Sequence, residues 1–276
     1  MRIDSHQHFW RYSPKSHAWL DDGMAGLRRD FMPQDLAPEL RRAGFDGAVA
    51  VQAAQSLGET QFLLELAREN PFIVGVVGWV DLRSKSLEAT LAQLSEQELF
   101  KGVRHIVQSE ASGFLSEPAF RAGVALLRDF ELTYDVLVYA HQLPEAVEFV
   151  RAVPGVECVL DHLAKPQVKA GELEPWRTQL RQLAKLPNVC CKLSGLVTEA
   201  AWNGWKPSQL LPFIDIAVEA FGADRLLVGS DWPMCLLAGQ YGDVMRVFSD
   251  YFASFSAAEQ AAIFGGNAAR VYRLAV

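Results

Sequence analysis

The amino-acid sequence predicts an α/β fold, a single-domain (β/α)₈ TIM barrel formed by residues 1–276. Eight short apolar runs typical of strands alternate with segments of helical periodicity, which is the order of elements in such a barrel. The turn after the first strand carries His6-Gln7-His8. A doubly wound open sheet, the main structural alternative, would place a glycine-rich phosphate-binding turn there. No linker or low-complexity segment marks a second domain.

The strand predictions rest on short runs rich in valine, leucine and alanine. Most of these runs are apolar at nearly every position, as expected for parallel strands that are covered on both faces. Such strands would form the inner wall of the barrel. The predicted strands are residues 2–8, 47–52, 72–80, 102–107, 135–139, 156–160, 189–193 and 226–229.

The helix predictions rest on apolar residues at helical spacing and on proline or glycine at the helix ends. One predicted helix has Ser116 as its cap and Pro118 in its first turn. Residues 10–30 are polar, aromatic and irregular, which predicts a long loop beside the first strand. The other predicted helices are residues 33–43, 59–69, 87–94, 144–150, 176–186, 210–221, 244–252 and 257–274.

Composition and charge narrow the class of function. The net charge is −7 and the basic residues are scattered, which argues against a nucleic-acid or anionic-membrane surface. No apolar run approaches the ~20 residues of a membrane span. We therefore expect a cytoplasmic protein, monomeric or homodimeric, whose partner is a small-molecule substrate. The four cysteines lack CxxC spacing, so we expect reduced, partly buried thiols.

Polar residues gather where the predicted strands end, which is where TIM barrels carry their chemistry. We interpret Asp231 and His162 as functional, although Asp231 could instead cap a turn and His162 could be a core histidine. Arg104 is slightly more consistent with function than with a structural ion pair, and His105 with a structural role. We expect His17, in the first loop, to be solvated. The strand-end residues are His6, His8, Gln52, Arg104, His105, Tyr139, His162, Ser194 and Asp231, with His141 just beyond.

Taken as a set, these motifs resemble the amidohydrolase superfamily, of the amidohydrolase 2 type. They are His6-Gln7-His8 after the first strand, the sequence DHLAKP at 161–166 after the sixth, and GSDWP at 229–233 after the eighth. The ending FGGNAARVY at 264–272 is similar to the C-terminal helix of that superfamily. More narrowly, the chain resembles the branch that contains sugar-lactone lactonases (L-fuconolactonase, L-rhamnonolactonase) and 2-pyrone-4,6-dicarboxylate lactonase.

The resemblance implies a hydrolase that opens the ester of a small lactone to the hydroxy acid. A sugar (aldono) lactone such as L-fuconolactone is the first candidate substrate. The alternative is a metal-dependent decarboxylase or another amidohydrolase that acts on a small carboxylated substrate. A non-catalytic metal- or sugar-binding barrel is a third reading, and it would leave the histidines and Asp231 without a role.

A lactone hydrolase needs a base for water, donors for the developing oxyanion, and contacts that orient the substrate. We assign the base to Asp231. We assign oxyanion stabilisation to His6, His8 and His162, acting as donors or through one bound cation. The predicted substrate contacts are Arg104, Tyr139, Gln52 and Trp232, and for Trp232 packing in the core is an equal alternative.

The chain departs from the binuclear members of the superfamily. Those members use a bridging lysine at strand four, where this chain has Arg104 and His105, and often a histidine at strand five, where this chain has Tyr139. The resemblance therefore implies at most one divalent metal, with zinc as the first choice, and members of this branch can work without any. The candidate ligands are His6, His8, His162 and Asp231.

Overall fold

The computed structural model describes residues 1–275, in which eight parallel strands pair in chain order into one sheet. Each strand is followed by at least one helix, so the predicted (β/α)₈ TIM barrel is confirmed. The strands are β1 (Ile3–Gln7), β2 (Gly47–Val51), β3 (Ile73–Gly78), β4 (Phe100–His105), β5 (Thr133–Val136), β6 (Cys158–Leu160), β7 (Val189–Leu193) and β8 (Leu226–Val228).

The α-helices form the outer layer of the barrel and its base. None of the helices in residues 1–275 is long and apolar enough to cross a membrane. They are α1 (Pro33–Arg42), α2 (Leu57–Glu69), α3 (Leu87–Ser95), α4 (Pro118–Leu126), α5 (Leu143–Ala152), α6 (Trp176–Ala184), α7 (Pro207–Phe221), α8 (Tyr241–Tyr251), α9 (Ala257–Ala261) and α10 (Asn267–Val271).

The barrel closes where the end of β1 meets the segment after β8. The backbone N–H of Asp231 donates to the carbonyl of His6 (2.8 Å), and that of His8 donates to the carbonyl of Trp232 (2.7 Å). A Cβ on Gly229 would lie 2.7 Å from the Cβ of His6, so only glycine lets the two segments approach this closely. The first and last strands are therefore neighbours, as the sequence predicted.

The barrel interior has an apolar lower half and a polar upper half. Inward-facing residues of the strands, among them Ile3, Val49 and Leu227, form a core cluster of their own. A register irregularity in β1 between Asp4 and Gln7 changes the side to which its residues point. Above the apolar layer the interior therefore receives the imidazole of His6 together with charged groups of other strands.

The C-terminal segment plugs the bottom of the barrel. Val271 and Tyr272 pack against the interior cluster. The single helix expected over 257–274 is instead α9, a π-helical turn over Ala262–Gly266, and α10. The helix is interrupted at Gly265, whose backbone is non-helical (φ 171°, ψ −40°). The Met1 carbonyl oxygen packs so closely against this glycine that an added Cβ would lie 2.3 Å from it.

Several local expectations are corrected or confirmed. Helix α4 begins at Pro118, after Glu117, so Ser116 lies in a preceding 3₁₀ turn and does not cap the helix. His17 is buried and not solvated, because Trp10, Tyr12 and Trp19 surround its ring. The four cysteines are free thiols, as expected, and all are fully buried.

Candidate active site

Four side chains from the two ends and the middle of the chain meet at the carboxyl end of the barrel. The Oδ1 atom of Asp231 lies 3.4 Å from Nε2 of His8, 3.8 Å from Nε2 of His6 and 3.9 Å from Nε2 of His162. The Nε2 atoms of His6 and His8 are 3.2 Å apart. All four side chains are at least 93 % buried.

The two histidines of β1 are held from opposite sides. The Nδ1–H of His8 donates to the carbonyl of Val51 (2.7 Å), because a carbonyl oxygen can only accept. The other ring nitrogen of His8, Nε2, therefore faces Asp231. On His6, Nδ1 lies 3.1 Å from the Nζ of Lys192 and 3.3 Å from Oδ1 of Asp161. Both rings are thereby fixed with Nε2 towards the shared carboxylate.

Asp231 is placed by a turn that β1 itself anchors. Its backbone has a φ of 57°, a left-handed conformation that aspartate tolerates better than most residues. The preceding Ser230 donates both its N–H (2.9 Å) and its hydroxyl (2.6 Å) to the carboxylate of Asp4. The hydroxyl of Ser230 also accepts the N–H of Trp232 (3.0 Å). Asp4 therefore fixes the turn that presents the catalytic candidate.

His162 lies in an unusual turn after β6. Residues His162 to Lys165 all have φ values between 51° and 59°, a left-handed run without glycine. The Nδ1 of His162 is 2.8 Å from the hydroxyl of Ser194, which can donate to it or accept from it. Gly195 makes room for the ring, because a Cβ there would lie 2.6 Å from Nδ1. The strained backbone is held by these contacts around the imidazole.

A buried ionic network lies beneath the histidines. Asp161 is 2.9 Å from the guanidinium of Arg104 and 3.0 Å from the ammonium of Lys192. Lys192 also pairs with Asp135 (2.6 Å), which accepts the hydroxyl of Tyr272. The Arg104 guanidinium donates in addition to the carbonyl of Gln52. These charges fix Arg104 and the lower edge of the His6 ring.

The pKa values of the site follow from burial and from these neighbours. Burial lowers the pKa of His162 to about 4 and that of His6 well below its ordinary value, although nearby carboxylates oppose both shifts. Burial by itself would raise the pKa of Asp231, but the three histidines outweigh it and hold that pKa below the usual range. At neutral pH the imidazoles of His6 and His162 are therefore uncharged and the carboxylate of Asp231 is ionised.

The donor set fits a single divalent metal. His6, His8 and Asp231 present nitrogen and oxygen atoms that lie within 4.8 Å of one another, and His162 stands beside them. A tetrahedral zinc ion with bonds of ~2.0–2.1 Å needs ligand atoms about 3.4 Å apart, close to the separations seen here. The Nδ1–H of His8 donates to the carbonyl of Val51 and leaves Nε2 for a metal, as in metal-bound histidines.

A cavity of about 420 Å³ opens above these groups, a size suited to a small sugar derivative. His8, His162, Asp231, Arg104 and Tyr139 lie on its wall, as the sequence analysis expected of substrate- or water-contacting residues. His6 lies beneath them. The other lining residues are mainly Trp10, Trp19, Met24, Ile106, Gln108, Ser109, Lys165, Thr198, Glu199, Trp202, Met234 and Leu237.

Two predicted substrate contacts lie away from the cavity wall. Trp232 is 2 % exposed, and its ring packs edge-on against Phe9 and Phe31. Gln52 is fully buried and donates its amide to the carbonyl of Arg104 (3.1 Å). Both residues therefore support the site and do not line it. Gln52 positions Arg104, and Trp232 anchors the loop that carries Asp231.

Lys192 and Asp161 belong to the site but were not among the residues predicted from the sequence. Lys192 stands in the middle of the apolar strand β7, and a lysine in a strand buried on both faces is an anomaly that signals an interior ion pair. Asp161 directly precedes His162, and its side chain points into the barrel while the chain turns. Asp161 opens the DHLAKP motif, but Lys192 has no motif, and only its position in the barrel identifies it.

Comparison with known proteins assigns the class. A model of the amidohydrolase family matches residues 3–274, and the chain belongs to this family. The eight-stranded barrel, with His6 on β1, His8 directly after it and Asp231 after β8, is consistent with this assignment.

Two relatives and one solved structure narrow the position within the family. The chain is 44% identical to the L-fucono-1,5-lactonase of Burkholderia multivorans over 99% of this chain and 96% of that protein. It is 38% identical to the L-fucono-1,5-lactonase of Burkholderia ambifaria, again over 99% of this chain and 96% of that protein. A crystal structure of an amidohydrolase from Burkholderia multivorans with bound zinc superposes with a TM-score of 0.96, at 44% identity and 99% coverage of both chains.

Substitution of Gly195 tests whether this residue leaves room for the imidazole of His162. Gly195→Ala and Gly204→Ala both place a Cβ on a left-handed residue (φ 65° and 82°), but only at Gly195 does the Cβ meet the ring. We expect both variants to lose about 1 kcal/mol from backbone strain and Gly195→Ala to lose about 1–3 kcal/mol more from overpacking. Imidazole nitrogen resonances of His162 should shift only in Gly195→Ala; unshifted resonances there would contradict the contact.

Proposed function

We propose that this protein hydrolyses the ester of a small sugar (aldono) lactone, in the first place L-fuconolactone, to the open hydroxy acid. The observation that carries the proposal is the carboxylate of Asp231 held 3.4–3.9 Å from the Nε2 atoms of three imidazoles at the floor of a sugar-sized cavity. The relatives named as lactonases, which match nearly the whole chain, support the same substrate class.

In the proposed reaction Asp231 binds the attacking water and accepts one of its protons. The carboxylate remains ionised at neutral pH, since its neighbours keep its pKa low. The water oxygen forms a bond to the lactone carbonyl carbon, and the carbonyl oxygen becomes an oxyanion. The bond between that carbon and the ring oxygen then breaks, and Asp231 returns the proton to the departing ring oxygen. Water is consumed and one hydroxy acid is formed.

Stabilisation of the oxyanion falls to the groups around Asp231. When Ser194 donates to Nδ1 of His162, the proton of the neutral ring resides on Nε2 and can be donated to the oxyanion. Arg104 lies on the same wall, fixed by Asp161, and contributes positive charge close by. Tyr139, on the same wall, orients the oxygens of the substrate, whereas Arg104 acts through its charge because its guanidinium is bound to Asp161 and Gln52.

We further propose that one divalent ion, with zinc as the first choice, can be held by His6, His8 and Asp231, with His162 beside them. Bound there, the ion would supply Lewis acidity towards an oxygen of the substrate or water. The hydroxyl of Ser194 is compatible with a bound ion because it can also act as an acceptor. It would then accept the Nδ1–H of His162, and Nε2 of that ring would carry the lone pair that binds the ion.

The alternative of a decarboxylase is not favoured. Two relatives that match nearly the whole chain at 44% and 38% identity are named as L-fucono-1,5-lactonases. The guanidinium of Arg104 is already bound to Asp161 and to the carbonyl of Gln52, which leaves it poorly placed to clamp a substrate carboxylate. An aldonolactone panel followed by acid release with a pH indicator tests the proposed function directly, and absence of turnover on every lactone would refute it.

Replacement of the base tests the role of Asp231. In Asp231→Asn we expect kcat on the lactone to fall by about 10²- to 10⁴-fold, because the amide cannot accept the proton of water. Asp243→Asn, an exposed position in the first turn of α8, serves as the matched control and should retain wild-type turnover. Near-normal turnover by a folded Asp231→Asn variant would remove Asp231 from the mechanism.

The pH dependence tests whether His162 acts as a neutral group. An imidazole is neutral above its pKa, and burial lowers the pKa of His162 from 6.5 to about 4. The neutral form of His162 therefore persists as the pH falls through 6.5 and is lost only near pH 4. We expect the ring nitrogen resonances of His162 to report a neutral imidazole between about pH 8 and 5. Protonation of the ring centred near pH 6.5 would contradict the assignment.

Metal content tests the proposed ligand set. Purified protein equilibrated with zinc and desalted should carry at most about one ion per chain, measured by elemental analysis. His8→Asn should lower this content, because it removes one of the mutually close ligand atoms. His141→Asn, an exposed histidine outside the cluster, should leave it unchanged. Two ions per chain, or equal content in both variants, would refute the single-ion site.

A further inference from the structure

Two charged side chains on the cavity wall have no polar partner. Lys165 and Glu199 both line the cavity, and within residues 1–275 neither side chain makes a hydrogen bond or an ion pair. The other charged groups of the wall are engaged: Arg104 pairs with Asp161, and Asp231 lies among the histidines. Lys165 and Glu199 are thus the charged groups of the wall that are free to bind a ligand.

The backbones that carry the two residues are well held. Lys165 ends the left-handed turn that begins at His162, and its Nζ lies 5.5 Å from the centroid of the Tyr139 ring. The carbonyl of Glu199 accepts the N–H of Lys169 (3.0 Å). Both side chains are only partly exposed, so their positions on the wall are defined by the fold and not by solvent.

The chemistry of the two groups suits neutral hydroxyl ligands. An ammonium donates hydrogen bonds to a hydroxyl oxygen, and a carboxylate accepts them from hydroxyl hydrogens. Partial burial has taken water away from Glu199 and raises the pKa of its carboxyl, an effect that the charge of Lys165 opposes. Hydroxyl groups of a bound polyol would restore the hydrogen bonds that burial removed. Trp202 beside them offers a flat apolar surface to the C–H face of the same ligand.

We propose that Lys165 and Glu199 bind the hydroxyl groups of the lactone and determine which hydroxyl configuration is accepted. The inference rests on the proposed function and names the residues that give it specificity. Neither residue takes part in bond making or breaking, which remains with Asp231 and the histidines. A wall that hydrogen-bonds a hydroxyl discriminates strongly against a substrate that leaves its polar groups unpaired.

The test compares hydroxylated aldonolactones, as pairs of epimers, with δ-valerolactone, which has no hydroxyl groups. Glu199→Gln and Lys165→Met each remove one charge at similar size. Glu172→Gln and Lys169→Met make the same replacements at exposed positions that do not line the cavity. KM and kcat are measured for each protein on each lactone.

We expect Glu199→Gln and Lys165→Met to raise KM for the preferred aldonolactone by about tenfold or more, with kcat little changed. Discrimination between epimers should fall by a similar factor, whereas kcat/KM for δ-valerolactone and all control variants should remain as in the wild type. Unchanged epimer discrimination would overturn the proposal. An equal loss of kcat on δ-valerolactone would also overturn it, because that pattern indicates proton transfer to the ring oxygen by Glu199.

Failure of the proposed function would be recognised separately. If the wild-type protein opens no lactone, lactone hydrolysis is refuted, and binding of the intact aldonolactone is measured by calorimetry. Weaker binding to Glu199→Gln than to Glu172→Gln supports the hydroxyl-binding role of the pair. Equal binding to the two variants overturns it.

Discussion

The seam between β1 and β8 is the constraint on which the site depends. Backbone hydrogen bonds join His6 to Asp231 and His8 to Trp232, so the residues that carry the chemistry are also those that close the barrel. Gly229 permits the close approach, and Asp4 fixes Ser230 on the far side of the seam. Chain ends more than 220 residues apart in sequence are thereby fixed at separations of a few ångströms.

The lower half of the barrel interior contributes to stability, and the upper half positions the residues of the site. Its lower half is filled with apolar side chains and closed by Tyr272 and its neighbours from the C-terminus. Its upper half contains Lys192 between Asp135 and Asp161, and buried ion pairs of this kind contribute little net stability because desolvation is costly. They position the site instead, because they fix Arg104 at the cavity wall and His6 beneath it.

The order of elements was predictable because it depends on local patterns. Apolar runs and helix-end signals such as Pro33 gave the barrel, and the strand-end rule brought His6, His8, His162 and Asp231 into one candidate site. Element ends were less predictable: tertiary contact of Gly265 with Met1 breaks the last helix, which has helical periodicity throughout. His17 was placed wrongly because aromatic residues of its own loop fold over it.

The remaining parts of the site depend on three-dimensional proximity that no short motif records. Lys192 belongs to β7 and Asp135 to β5, and each is the single charged residue of its strand. The wall positions of Lys165 and Glu199 depend on two loops that meet only in the folded barrel. Trp232, near a strand end, was expected either at the substrate or in the core, and its ring packs in the core against Phe9 and Phe31.

The central claim is that barrel closure makes the imidazoles of β1 and Asp231 a single catalytic unit. A double-mutant cycle on kcat/KM with His8→Asn and Asp231→Asn measures this most directly. If the two residues act together across the seam, the double variant should lose about as much activity as Asp231→Asn alone. Losses that multiply, so that the double variant is worse by the full product of the single effects, would show that the two residues act independently and would contradict the account.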